Sequence, residues 1–278
     1  MDIVKKRQIL KITLGVLLSC SVISVVGIIV TASNYANSKK EYAKLETYVK
    51  VEVPEKKIVE VETIPEEVTE EVVQTPKLIN VDFDMDYASL KAINSDFVGW
   101  LYYEPVNLSY PVVIDKGDGY YEHHSFELDD NPVGAIFMDY LCKVNFESFN
   151  TIIYGHNMRN GTMFGYLNDI IEDKKMIEEN PYFYVFTEND AYMYKIVSGY
   201  YTNNKSNTYN LSLEYTLDDM KDYVDFMNGA SKTYKNQEFF DEEVTEDLKI
   251  CTLSTCHGLN SNQRTVIHGV LIAKEPRN

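Results

Sequence analysis

The sequence predicts a mainly β domain with peripheral helices, folded as a closed or nearly closed barrel behind one N-terminal transmembrane helix and a flexible acidic stalk. Three observations predict it. Short strand-like runs recur between turn residues after about Val81, one uncharged apolar run lies near the N-terminus, and a stretch rich in Glu, Val and Pro separates the two.

The apolar run is Ile12 to Val30, within the segment MDIVKKRQILKITLGVLLSCSVISVVGIIVTASN. At about 1.5 Å per residue it nearly crosses a hydrocarbon core of ~30 Å, so it reads as a membrane helix over 12–32. Lys5, Lys6, Arg7 and Lys11 precede it, which predicts residues 1–11 in the cytoplasm and everything beyond the helix outside the cell. Two rival readings fit less well. A cleaved signal peptide has a shorter apolar region ending in small residues, and Val30-Thr31-Ala32 is a poor cleavage site. Leu17-Leu18-Ser19-Cys20 looks like a lipoprotein box, but nearly apolar sequence continues beyond Cys20.

Residues 33–80 include KVEVPEKKIVEVETIPEEVTEEVVQTPK, where Pro54, Pro65 and Pro76 interrupt any helix. This predicts the acidic stalk, with a short strand as the lesser alternative where Val and Ile alternate with Glu. The composition changes near Val81, where Tyr, Phe and the single Trp appear, and a packed domain is expected over 81–278.

DMDYASLKAINSDFVGW opens that domain as a helix, with Leu90, Ile93 and Phe97 on one face and Gly99 near its stop. Strands are expected at Trp100 to Tyr103, Tyr110 to Ile114, Gly134 to Met138, Thr151 to Tyr154, Tyr182 to Phe186, Tyr192 to Tyr201, Lys249 to Thr255 and Thr265 to Ile272. Between the sixth and seventh, Thr216 to Asp219 forms a capping box before Leu217, Met220, Val224 and Met227, so a helix is expected on the outside of the barrel.

The net charge of −17 argues against nucleic acid as a partner, because phosphate binding needs clustered Lys and Arg. Three of the four Cys, Cys142, Cys251 and Cys256, fall in the exterior part, so at least one thiol is left without an intramolecular partner there. Cys251 and Cys256, on one strand, would be about 16 Å apart and on opposite faces, too far for a disulfide.

Cys256 carries the chemical question. It ends a hydroxyl-rich strand and precedes HGLNSNQ, a turn-forming loop; it is either a buried apolar residue or a nucleophile at a loop edge. Arg264 follows that loop, and a hairpin would return it close to Cys256, where a guanidinium favours a thiolate and offers donors to an oxyanion. A proton carrier is also needed. His257 diverges from its neighbour on an extended strand, and His123 and His124 sit in a loop. His156, behind Gly155, opens the polar loop HNMRNGT, whereas His268 lies on the strand of Arg264 but about 13 Å further along. The residues themselves leave both open.

No cofactor or metal is implied. Cys251-x4-Cys256-His257 lacks the paired spacings of structural zinc sites, Asp129-Asp130 and Asp218-Asp219 belong to turns or a helix start, and no Gly-rich phosphate loop is present.

TLSTC at Thr252 to Cys256, Arg264 at the start of the last strand and IIYGHNM at Ile152 to Met158 resemble the active-site segments of sortases, the cysteine transpeptidases of Gram-positive cell surfaces. The Ser in TLSTC, the opening DYASLKAINSDFVGWLYY, the segment NPVGAIFMDY and the helix before the Cys strand are similar to class B. The resemblance covers roughly Asp84 to Ile272. It implies an eight-stranded barrel, Cys256 as nucleophile, His156 as acid and base, Arg264 as the oxyanion partner, and Ser254 and Thr255 lining the substrate groove. Where relatives often carry an acidic residue just after the Cys, this chain has His257-Gly258. The implied reaction cleaves an NPxTx-like sorting motif of secreted proteins after Thr and joins the acyl group to a cell-wall peptide amine. A pilin-polymerising sortase and a non-catalytic surface binding module are the alternatives.

Overall fold

The computed structural model describes residues 3–52, 79–231, 244–256 and 262–277. It begins with α1 (Ile3–Leu45), an unbroken helix that contains the apolar run and is long and apolar enough to cross a membrane. Leu14, Leu18, Val22, Val26 and Ile29 are all exposed on it, as lipid-facing side chains would be.

The stalk expected over 33–80 is structured at both ends. Helix α1 continues to Leu45 and buries Ser38, Tyr42 and Leu45, whose spacing of four and three residues puts them on one face. After a 3-10 turn the chain forms β1 (Val49–Glu52), which pairs antiparallel with β2 (Asp82–Met85), Glu52 opposite Asp82. Residues 53–78, with Pro54, Pro65 and Pro76, lie outside the described residues. The folded unit therefore starts within α1 and not at residue 81, because an apolar helical stripe and a two-stranded ladder tie 38–52 to the barrel.

Next comes α2 (Tyr87–Ile93), capped by the Asp86 carboxylate, which accepts from Ser89 N at 3.0 Å. It is shorter than expected. Phe97 and Gly99 belong to β3 (Phe97–Tyr103), followed by β4 (Leu108–Ile114), β5 (Ile136–Met138) and β6 (Asn150–His156). Two short helices, α3 (Leu167–Glu172) and α4 (Lys174–Glu179), lead into β7 (Tyr182–Phe186) and the long β8 (Asp190–Asn203). Then come α5 (Leu217–Ala230), β9 (Ile250–Cys256) and β10 (Gln263–Pro276).

These eight strands close into a barrel in the order β10, β8, β7, β3, β4, β5, β6, β9. The β4–β5 and β6–β9 pairs are parallel and the rest antiparallel. Trp100, Phe183, Tyr194, Cys251, Leu253 and Ile267 belong to the main buried core. Helix α5 opens with the expected capping box: Asp219 N donates to Thr216 Oγ1 at 3.2 Å and Thr216 N to the Asp219 carboxylate at 2.9 Å. Its Met220, Tyr223, Val224 and Met227 pack with Val197 and Ile250 in a second apolar cluster on the outer face. Each such side chain contributes about 1.5–3 kcal/mol by leaving water, so α5 is held by its apolar stripe more than by its cap.

Candidate active site

Alternation along β9 sends Cys251 and Leu253 to the core, and Ile250, Thr252 and Ser254 to the face covered by α5 and the segment before it. The parallel β6–β9 ladder runs from Asn150↔Ile250 to His156↔Cys256. On the other side of β9 the antiparallel ladder includes Val266↔Ser254, and Thr265 N donates to Thr255 Oγ1 at 2.9 Å. Two further steps of that register bring Arg264 opposite Cys256. Positions 156 and 256 are partners in one row, about 5 Å apart, and the register of β10, continued past its last pair with β9, extends that row to 264.

His156 is half-buried, and its Nε2 lies 2.8 Å from the carbonyl oxygen of Glu122. A carbonyl can only accept, so Nε2 carries the hydrogen and Nδ1 is the nitrogen left to exchange a proton. Gly155 lets the strand come this close: a Cβ there would meet Ile136 Cδ1 at 2.4 Å and Phe164 Cγ at 2.9 Å. Arg264 is half-buried, and its Nη1 donates to Gln263 O at 3.0 Å.

Arg264 lines a groove of about 320 Å³ together with Glu122, Phe137, Asp139, Tyr154 and Tyr209. Larger cavities, about 420 Å³ beside β1–β2 and about 500 Å³ beside α5, are lined by neither His156 nor Arg264. The Tyr154 hydroxyl donates to Asp139 Oδ2 at 3.0 Å, and its ring lies 6.3 Å from that of Tyr209 at 24°.

Ser254 and Thr255, expected at the substrate groove, are not among the residues lining the groove at Arg264. Both are fully buried, Ser254 Oγ pairing with the Tyr209 hydroxyl at 2.8 Å and Thr255 Oγ1 taking the β10 amide of Thr265. The groove wall is Tyr209, which Ser254 holds from beneath. Tyr154 was readable in IIYGHNM, because it precedes His156 by two residues and so shares its face. Tyr209 gave no such signal, since its strand contact is made through a separate 3-10 turn.

Two of the other histidines, His268 and His124, are engaged elsewhere. His268 is fully buried between Thr252 Oγ1, 2.8 Å from its Nδ1, and the Tyr200 hydroxyl, 3.0 Å from its Nε2. Thr252 gives its only proton to Asn150 Oδ1 at 2.7 Å, so it accepts from Nδ1–H and Nε2 accepts from Tyr200. Both nitrogens are therefore satisfied with the ring neutral, and burial pushes its pKa down to about 3. His124 stacks on Tyr120 at 3.7 Å, His123 is exposed on the same loop, and His257 lies outside the described residues.

Among the other thiols, Cys142 is buried on Ile152 N and Asn150 O with its pKa pushed up to about 12, and burial raises Cys251 well above the ordinary range. Neither offers a thiolate. Cys20 lies on the apolar helix α1. Among the described residues no group of three or more His, Cys, Asp or Glu is arranged to hold a metal ion.

A closed barrel with Cys, His and Arg positions in one row has the groups of a cysteine-dependent acyl transferase. The family description "Sortase domain" matches residues 104–272. Sortase B of Listeria monocytogenes is 31% identical over 199 residues, covering 70% of this chain and 78% of that protein. Sortase B of Staphylococcus aureus is 32% identical over 194 residues, covering 68% and 73%. Of solved structures, a Staphylococcus aureus sortase B–substrate complex is similar with a TM-score of 0.59 at 29% identity, over 67% of this chain and 84% of that one. Clostridium perfringens sortase B gives a TM-score of 0.59 at 28% identity, over 67% and 99%. The chain belongs to the sortase family, in class B, whose members are cysteine transpeptidases of the cell surface.

Proposed function

We propose that this sortase cleaves an NPxTx-like sorting motif of secreted proteins after its Thr, and transfers the acyl group through a Cys256 thioester to a cell-wall peptide amine. The observation that carries this reading is the register: His156 and Cys256 are partners across β6–β9, and the β9–β10 register, continued two steps past Val266↔Ser254, supports Arg264 opposite Cys256.

In the first step the Cys256 thiolate attacks the Thr carbonyl carbon, the carbonyl electrons move onto oxygen, and the Arg264 guanidinium stabilises that oxyanion. The oxyanion collapses and the C–N bond breaks. The leaving amine takes its proton from His156. In the second step the acceptor amine attacks the thioester carbonyl and gives its proton to His156. The C–S bond then breaks, returning the thiolate. Ser254 and Thr255 act from below, holding Tyr209 and the β10 backbone that shape the groove for the motif. The basic residues before the apolar part of α1 support an N-terminus in the cytoplasm, with the barrel outside where secreted substrates and wall peptides meet.

The test is intact mass of the full chain after incubation with an NPxTx peptide, with Cys256→Ala as control. An acyl adduct on the wild type alone, resolved by a wall-peptide amine, is the expected result. No adduct with any sorting peptide overturns the reading, and release only by a pilin Lys assigns the enzyme to pilin polymerisation instead.

A further inference from the structure

Three residues on the end of α1 nearest the barrel grip the loop that precedes β5. Ser38 Oγ accepts from Asn131 Nδ2 at 2.7 Å, Glu41 Oε1 accepts from Glu127 N at 3.0 Å, and the buried Tyr42 donates its hydroxyl to Gly134 O at 3.3 Å. Gly134 is packed against the histidine of the row. At φ +63° it adopts a left-handed conformation, and a Cβ there would lie 2.9 Å from Glu122 O and 3.0 Å from His156 Cδ2. Glu122 O is the same carbonyl that fixes His156 Nε2.

Tyr42 is also linked, through Tyr110, to the loop that follows His156. Its ring meets Tyr110 edge-on at 5.1 Å, and the Tyr110 hydroxyl accepts from Met163 N at 2.9 Å. Met163 belongs to the loop that leaves His156 and folds back on it, bridging to Asn157 and letting Phe164 N donate to His156 O at 3.0 Å. One side chain on the membrane-proximal helix therefore braces the loop that supplies the carbonyl and the loop that follows the histidine.

We propose that Tyr42 is a positioning residue for His156, so that the N-terminal helix is part of the catalytic apparatus and more than an anchor. This rests on the reading of His156 as the proton carrier. Releasing Tyr42 loosens both loops, and the imidazole then loses the fixed Nε2–H tautomer that leaves Nδ1 for proton exchange.

The experiment uses the full chain in detergent micelles, with steady-state turnover of a sorting peptide and 15N-histidine spectra, His156→Gln identifying the resonance. Tyr42→Ala is expected to lower kcat about tenfold, as a small misplacement of a catalytic group does, with KM little changed, and to mix the His156 tautomers. Tyr42→Phe and Tyr110→Phe each remove one hydroxyl and are expected to lose about threefold in kcat, which keeps the test readable if the alanine variant does not fold. Leu90→Ala, a buried residue of α2, is the control for general destabilisation, expected to lower the unfolding midpoint but not kcat at low temperature. Wild-type kcat and a single tautomer in folded Tyr42 variants overturn the proposal, as does an equal kcat loss in Leu90→Ala. Failure of the underlying reading is separate: it is wild-type turnover in His156→Ala, whatever the Tyr42 variants do.

Discussion

His156 and Cys256 are register partners on adjacent parallel strands, although a hundred residues of sequence separate them. A ladder places two backbones more rigidly than two loops would, so proton transfer here should depend on residue 156 and on no other histidine. His156→Ala is expected to lower turnover by about 10²–10⁴, the usual worth of a positioned acid and base, while folded His268→Gln keeps most of it. Steady-state cleavage of a sorting peptide checks both, and the reverse pattern would give the proton role to His268.

Arg264 enters the row from the opposite side of β9. Lysine keeps the charge but not the fixed fork of donors, so Arg264→Lys is expected to lose about 10²–10³ in kcat with a smaller change in KM. Single-turnover acylation followed by mass reads the step directly. Wild-type acylation in Arg264→Lys would remove the oxyanion role.

The buried His268 makes stability depend on pH. Its folded pKa of about 3 lies below the ordinary 6.5, so on acidification the unfolded chain binds this proton first. The stability it contributes is present above pH 6.5 and is lost as pH falls through the window from 6.5 toward 3. Between pH 7 and 5 this amounts to about 2 kcal/mol. Urea unfolding at the two pH values should show that difference in the wild type and a much smaller one in His268→Gln, which stays neutral throughout.

Gly155 has no room for a methyl group between Ile136 and Phe164. Gly155→Ala is expected to cost about 1–3 kcal/mol by overpacking and to displace the next residue, His156. A lowered unfolding midpoint accompanied by lost kcat is the signature to measure. A variant that unfolds earlier but turns over at the wild-type rate would show that β6 absorbs the strain without moving the histidine.

Much of this was legible in the sequence, for identifiable reasons. The eight strands were readable because β-branched and aromatic runs such as Tyr182 to Phe186 stand between clear turn residues, and the α5 capping box is a local pattern. Strand parity puts Cys251 and Cys256 on opposite faces, and Cys251 lies in the buried core. The proton carrier was not decided by local pattern, because burial and the Thr252–His268–Tyr200 chain arise only when β8, β9 and β10 meet. Helix α2 stops before the spacing of Leu90, Ile93 and Phe97 predicts, because strand pairing sets its boundary. The stripe of Ser38, Tyr42 and Leu45 has helical spacing in the sequence, but the acidic, Pro-containing composition of the following residues hides it. Tyr209 and Asp139 joined the groove through tertiary contacts alone.

Glu52 and Asp82 face each other in the β1–β2 ladder, so the acidic chain between them begins and ends at one spot on the surface. Displacement along α1 reaches the barrel through Ser38, Tyr42 and Leu45. The separation of the barrel from the apolar segment is therefore set along α1 itself. One residue inserted in α1 between Val30 and Ser38 would turn the barrel by about 100° and lift it by about 1.5 Å.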